Sequence, residues 1–224
     1  MSRNQFQSLM ARDGHTFSAY LVTPEGKARG AIVVLQEIFG LTTHIRNVAD
    51  SYAADGYLTI APSLFDRVRR QVVLGYSAAE VEQGKGYRLQ IPLAKALLDI
   101  AACAAVVRHA GRVAAMGFCW GGMLAWAAAS AVPLAAAVCY YGAGMLEQSP
   151  KTPSCPTLLH FGEMDQSIPP GEVEALRAAY PAGEYYLYPA GHAFANADRP
   201  DHYNADAAAL ARARTGAFLA QRVG

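Results

Sequence analysis

Three side chains in this sequence have the types and the chain order of a nucleophile with its proton-transfer partners: Cys119, Asp165 and His192. Cys119 lies in GFCWGG, two residues after Gly117 and two before Gly121, where one apolar run ends and an alanine-rich one begins. G-x-C-x-G is the pattern of a nucleophile elbow with sulfur in place of oxygen. Small residues are needed on both sides of such a turn, because a strand passes abruptly into a helix and neighbouring backbones come close. The partial positive charge at the helix N-terminus favours thiolate over thiol, and the first free N–H groups can bind a developing oxyanion. A free cysteine is more often a small buried hydrophobe. That reading suffices for Cys103 and Cys139, which fall inside a helix-like and a strand-like run. For Cys119 the five-residue motif alone does not separate the two readings; its partners do.

An elbow nucleophile requires a general base and a carboxylate to orient that base, following in the order acid, then histidine. LLHFGEMDQSIPP ends a strand-like run at Gly162 and offers Asp165 on the next loop, and YYLYPAGHAFAN ends the following run and offers His192. Glu163 competes for the acid role but lies closer to the strand end. His160 falls within a strand and reads as a packing residue. His15, His44, His109 and His202 fall in hairpin, helix or helix-flanking positions, where surface or capping roles suffice.

The elements that must hold these residues alternate. GAIVVLQEIFG opens as a strand buried on both faces and passes into a loop near Gln36. TTHIRNVADSYAADGY carries Ile45, Val48, Ala49 and Tyr52 at helical spacing and stops at Gly56. YLTIAPSLF is a further strand. Arg67 to Gly86 reads as a polar, glycine-containing stretch, and YRLQIPLAKALLDIAACAAVVRHA as one long helix with Pro92 near a kink or an early turn. RVAAMGF, AAAVCYYG, TLLHFGE and EYYLYPA supply four more strands, and the closing helix has a stripe of Ala208, Ala211, Thr215, Phe218 and Leu219. This alternation predicts an α/β fold with a mainly parallel sheet covered by helices on both faces. QFQSLMARDGHTFSAYLVTP predicts an edge hairpin turning at Asp13-Gly14. No repeat or linker interrupts the chain, so one domain over residues 1–224 is expected.

Composition narrows the function. The chain is 53% hydrophobic and 17% charged, enough to bury a large core. Its net charge of +1, with no basic cluster beyond Arg67, Arg69 and Arg70, argues against nucleic acid as a partner. The cysteines show no metal-ligand pairing and read as reduced thiols, and the N-terminal stretch has no apolar core of signal-peptide length; a cytoplasmic location is expected. The uncharged run between Arg112 and Glu147 is broken by five glycines, Ser130 and Pro133, so no membrane span is expected there.

LQEIFGLTTHIRNVADSYAADGYLTIAPSLF, GFCWGG, CYYGAG, FGEMDQSIP and AGHAFAN together resemble the dienelactone hydrolase family of α/β-hydrolases, in the same order over most of the chain. The resemblance implies a Cys-Asp-His triad, which maps onto the three residues selected above. It also implies that Glu37, the glutamate of QEIFG, contacts the resting thiol and takes part in its activation. The backbone N–H groups of Ile38 and Trp120 would form the oxyanion hole, and Tyr87 matches a substrate-site tyrosine. Phe39, Tyr141 and Asn196 complete the expected substrate-binding set. The sequence departs from the family where arginines hold a substrate carboxylate: Asn196 stands at one such place, with Arg199 further on, and Gln83 at the other, with Lys85 and Arg88 nearby.

The expectation is therefore a hydrolase that cleaves a small ester or lactone through a cysteine acyl-enzyme, with no metal or organic cofactor, as a monomer or small homo-oligomer. Acyl transfer or thioester hydrolysis would use the same intermediate, and a non-catalytic small-molecule-binding protein would keep the pocket alone. The absent arginines predict a preference for neutral substrates, unless Lys85, Arg88 or Arg199 reaches the pocket.

Overall fold

The computed structural model describes residues 3–224, leaving Met1 and Ser2, the first residues of the N-terminal stretch read above, outside the description. β1 (Arg3–Met10) and β2 (Thr16–Thr23) form the expected antiparallel edge hairpin. Its turn closes where Gly14, at φ +82°, donates to the Ala11 carbonyl at 2.9 Å. β2 pairs antiparallel with β4 (Leu58–Pro62) as well. From β4 onward the pairing is parallel, through β3 (Ala31–Leu35), β5 (Val113–Phe118), β6 (Ala136–Tyr140), β7 (Thr157–Gly162) and β8 (Glu184–Tyr188). The spatial order is β1-β2-β4-β3-β5-β6-β7-β8.

Every residue of β3, β4, β5 and β6 is buried, which is why AIVVL and VAAMGF are continuous apolar runs rather than alternating ones. α1 (Thr43–Ala54) and α7 (Ala205–Arg222) cover one face of the sheet. α3 (Leu93–Val107) and α4 (Trp120–Ala131) cover the other. The buried stripe of α7 is Ala207, Ala211, Thr215, Phe218 and Leu219, so it starts one residue earlier than read and leaves Ala208 half-buried. The uncharged stretch after Arg112 divides into β5, α4, β6 and the short α5 (Met145–Gln148). Among the described residues no single helix is long and apolar enough to cross a membrane.

One element differs from the sequence reading. The polar stretch up to Gly86 and the long helix after it are in fact two helices, α2 (Ala78–Leu89) and α3, bent by 89° at the break between them. Ser77 and Glu80 build a capping box that starts α2. Pro92 is the N-cap of α3, and a proline biases the residue before it away from helical backbone, so the break replaces the kink. α6 (Glu172–Ala179) completes the helices after β7.

The hairpin turn is tied to α3 by an ion-pair cluster. Arg67 donates to both oxygens of Asp99 at 2.7 Å and to Asp13 at 3.1 Å, and Lys95 reaches Asp13 at 2.8 Å. The Asp99 side chain is fully buried; burial pushes its carboxyl above the ordinary range and the Arg67 guanidinium opposes the shift. We expect Asp99→Ala, which leaves a nearly buried guanidinium short of a partner, to lower the unfolding free energy by about 3 kcal/mol in urea denaturation. Lys95→Ala, at an exposed pair, should cost less than about 1 kcal/mol.

Candidate active site

The turn from β5 into α4 is made by backbones in contact. A Cβ on Gly117 would stand 2.0 Å from the Gly121 carbonyl oxygen, and one on Gly121 2.4 Å from that of Leu35. Cys119 between them takes φ 54°, ψ −117°, a conformation that L residues rarely adopt. Its N–H donates to the Tyr140 carbonyl at 3.0 Å, while its own carbonyl accepts from Gly122 and Met123 in the first turn of α4. The side chain thus projects from the carboxyl end of the sheet at a helix N-terminus.

Asp165 and His192 reach it from the loops after β7 and β8. His192 Nδ1 donates to Asp165 Oδ2 at 2.8 Å, and Asp165 Oδ1 accepts from the Ser167 N–H at 2.8 Å. The Asp165 side chain is 1% exposed and that of His192 15%, so their hydrogen bond is shielded from water. Glu163, the competing acid, is exposed, and its N–H donates to the Tyr188 carbonyl. The His192 ring lines the same cavity as Cys119 and packs edge-on against Tyr141 at 5.1 Å. Burial pulls the imidazole pKa down, but the Cys119 charge and the Asp165 hydrogen bond outweigh it and raise the pKa to about 10.

Glu37 follows β3 and is buried beside this chain of bonds. Its Oε2 accepts from Asn196 Nδ2 at 2.8 Å, and the same amide lies 3.3 Å from the Tyr76 hydroxyl. Glu37 Oε1 is buried with no hydrogen-bond partner among the described residues. Burial pushes the Glu37 carboxyl up to about 7 against the opposing pull of His192, Arg199 and Asn196. Asn196 holds the carboxyl, and Glu37 shares the cavity lining with Cys119.

These groups open into a cavity of about 430 Å³ lined by Glu37, Cys119 and His192, with Ile38, Phe39 and Trp120 beside them. Of the other expected substrate-site residues, Phe39 is in the lining, whereas Asn196, Tyr141 and Tyr87 are not. Asn196 is fully buried and spends its amide on Glu37. Tyr141 is fully buried behind His192. Tyr87 packs edge-on against Phe65, accepts from Gln83 at 2.9 Å and is absent from the lining. The cations set aside as peripheral, Lys85, Arg88 and Arg199, do line the cavity, as does His202. Val81, Lys85 and Arg88 share one face of α2 at spacings of four and three, a signal hidden by reading that segment as a loop. The S-x-x-E of Ser77 and Glu80 could have revealed it. His44 is likewise buried, edge-on to Phe118, rather than on the surface. His160 is a core residue, bonded to Tyr188 and Thr215. Among the described residues no group of three or more His, Cys, Asp or Glu side chains is placed to share a metal ion.

The profile of the dienelactone hydrolase family matches residues 17–223. A carboxymethylenebutenolidase of Pseudomonas putida is 30% identical over 236 aligned positions, covering 95% of this chain and 94% of the relative. A crystal structure provisionally described as a dienelactone hydrolase of Klebsiella pneumoniae superposes with a TM-score of 0.86 at 30% identity, over 99% of each chain. A dienelactone hydrolase-like promiscuous phosphotriesterase from metagenomic libraries superposes at 0.78 with 20% identity over 99% of each chain, which bears on the fold alone.

The raised Glu37 pKa has a measurable sign. With 4.5 as its ordinary value and about 7 in the fold, the native state holds a proton through that window that the unfolded chain releases. Stability is therefore lost as pH rises from 4.5 to 7 and does not change further on this account above 7. We expect the stability of Glu37→Gln relative to wild type to grow by on the order of 3 kcal/mol across that window in pH-dependent urea denaturation. A difference independent of pH would contradict the assignment.

Proposed function

The chain belongs to the dienelactone hydrolase family, and from that premise we propose that it cleaves a small ester or lactone through an acyl-enzyme on Cys119. The observation that carries the reading is the shielded Asp165–His192 hydrogen bond at 2.8 Å, with His192 and Cys119 lining one cavity on the carboxyl side of the sheet. His192 takes the Cys119 proton as the sulfur attacks the carbonyl carbon, and is placed to give it to the leaving alkoxide. In a lactone that alkoxide stays attached to the acyl group as a hydroxyl. The tetrahedral oxyanion is stabilised by the N–H groups of Ile38 and Trp120, which flank the thiol. Water then attacks the thioester as His192 takes its proton; the C–S bond breaks, His192 returns that proton to the sulfur, and the acid departs. Asp165 fixes the tautomer that makes both transfers possible. Glu37 is the second ionisable group beside the sulfur, oriented by Asn196, and takes part in the activation of the thiol. The proposal treats residues 1–224 as one catalytic domain.

The lining argues for a substrate that carries a carboxylate. The neutral preference expected from the sequence rested on Asn196 and Gln83, neither of which lines the cavity. Lys85, Arg88 and Arg199 do, and Arg199 is held over the rings of Phe39 at 5.6 Å and Tyr76 at 5.3 Å. A charge-assisted bond from such a group contributes about 1.5–3 kcal/mol.

We expect Cys119→Ala to abolish ester hydrolysis with an unchanged circular dichroism spectrum. Asp165→Asn should lower kcat by about two to four orders of magnitude and Glu163→Gln by no more than about threefold. Equal losses at the two acids would transfer the orienting role. In kcat/KM, a carboxylate-bearing ester should exceed a neutral ester of the same size by about tenfold, and Arg199→Ala should erase most of that margin.

A further inference from the structure

α2 touches the rest of the molecule in an unusual way. Gly84 is its one buried residue, and a Cβ there would stand 2.0 Å from the Ile38 carbonyl oxygen and 3.1 Å from its carbon. Gly84 sits in ordinary helical backbone, outside the set of glycines at positive φ, so conformation does not demand a glycine there. Space does. Gly86, two residues on in the same helix, has nothing within 4 Å of the place its Cβ would occupy. Two glycines cost the helix alike in propensity, yet only one of them has a contact to serve.

The contact sits between two parts of the cavity. On one side is Ile38, a proposed oxyanion donor; on the other is the helix face that carries Val81, Lys85 and Arg88 into the lining. The Ile38 loop is pinned on several sides. Gln36 donates to the Glu37 carbonyl at 3.1 Å and accepts from the Leu64 N–H at 3.0 Å, Leu74 donates to the Phe39 carbonyl at 2.9 Å, and Gly40 forms a bridge with Val73. α2 is anchored through side chains: Glu80 of the capping box accepts from the Gly75 N–H at 2.7 Å, Tyr87 packs on Phe65, and Arg88 makes an exposed bond to Gln148 at 3.1 Å. If the two backbones were forced apart, the helix would yield before the loop.

We propose that Gly84 is a positioning residue for substrate recognition: by letting α2 rest directly on the Ile38 carbonyl, it sets the height at which Lys85 and Arg88 stand over the cavity. This rests on the reading that the substrate carries a carboxylate. A methyl group at position 84 must move from 2.0 Å to beyond 3.0 Å from that oxygen, lifting α2 by about 1 Å. Cys119, Asp165 and His192 lie on other elements and stay in place, as does Arg199. The displacement therefore weakens binding of the carboxylate and leaves bond cleavage alone.

The test compares Gly84→Ala with Gly86→Ala on mono-p-nitrophenyl glutarate and on p-nitrophenyl butyrate, esters that differ in a terminal carboxylate. For Gly84→Ala the glutarate KM should rise about threefold with kcat within about twofold, and the butyrate parameters should hold. Gly86→Ala should match wild type on both esters and melt about 2–4 °C higher, because alanine is the better helix former, whereas Gly84→Ala should show no such gain. If wild type prefers glutarate and Gly84→Ala retains its KM, or loses equally on both esters, the positioning role is wrong. If wild type does not prefer glutarate, the carboxylate reading fails, and the role built on it fails too, whatever the variants do. Should Gly84→Ala not fold, the Lys85→Ala, Arg88→Ala double variant decides: it should reproduce the KM rise, and an unchanged glutarate KM would overturn the proposal.

Discussion

The site depends on main chain resting against main chain at the end of β5. Without side chains at Gly117, Gly121 and Gly122, the start of α4 settles onto the carbonyls that close β3 and β6: a Cβ on Gly121 would meet Leu35 and Gln36, and one on Gly122 would meet Tyr140. Cys119 is thereby held in a backbone conformation that costs an L residue about 1–3 kcal/mol, and the contacts around it leave no relaxed alternative. The same contacts fix the loop that follows Gln36, so Glu37 and Ile38 are placed relative to the sulfur by backbone geometry rather than by flexible side chains. Gly84 extends the principle outward, seating a helix on the carbonyl of Ile38.

Around this rigid centre the charges compensate one another. Cys119 and Asp165 push the His192 pKa up against the cost of burial. Glu37 is pushed the other way, towards neutrality near pH 7, with the Asn196 amide at its oxygen and the positive charges of His192 and Arg199 limiting the shift. Lys85, Arg88 and Arg199 complete the lining, Lys85 paired with Glu82 and Arg199 over Phe39 and Tyr76. In the proposed function an ester with an acid group would meet these cations while its carbonyl meets the sulfur, so recognition and chemistry would fall on different elements of the fold.

Much of this was legible in the sequence because its signals are local. Buried parallel strands need unbroken apolar runs, and AIVVL, VAAMGF and AAVCY announce themselves; an elbow needs glycines at fixed offsets, and GFCWGG supplies them. Asp165 and His192 followed from loop position alone. What escaped was set by tertiary contact. α2 has no apolar stripe and two internal glycines, so periodicity gave nothing to read, and with the helix unseen Lys85 and Arg88 had no face to share. Asn196 was read as a vacant carboxylate clamp because the chain does not say that it lies under Glu37. Tyr87 was assigned to substrate by resemblance, whereas its ring is taken up by Phe65 and its hydroxyl by Gln83.

The central claim is that an acyl group passes through the sulfur of Cys119. The direct measurement is acid quench of the wild-type enzyme during turnover of mono-p-nitrophenyl glutarate, followed by intact mass and peptide mapping. The account predicts a mass increase of one glutaryl group, on the peptide containing Cys119, removed by hydroxylamine at neutral pH as a thioester would be. An acyl group on any other residue, or steady turnover by Cys119→Ala at a rate near wild type, would contradict it.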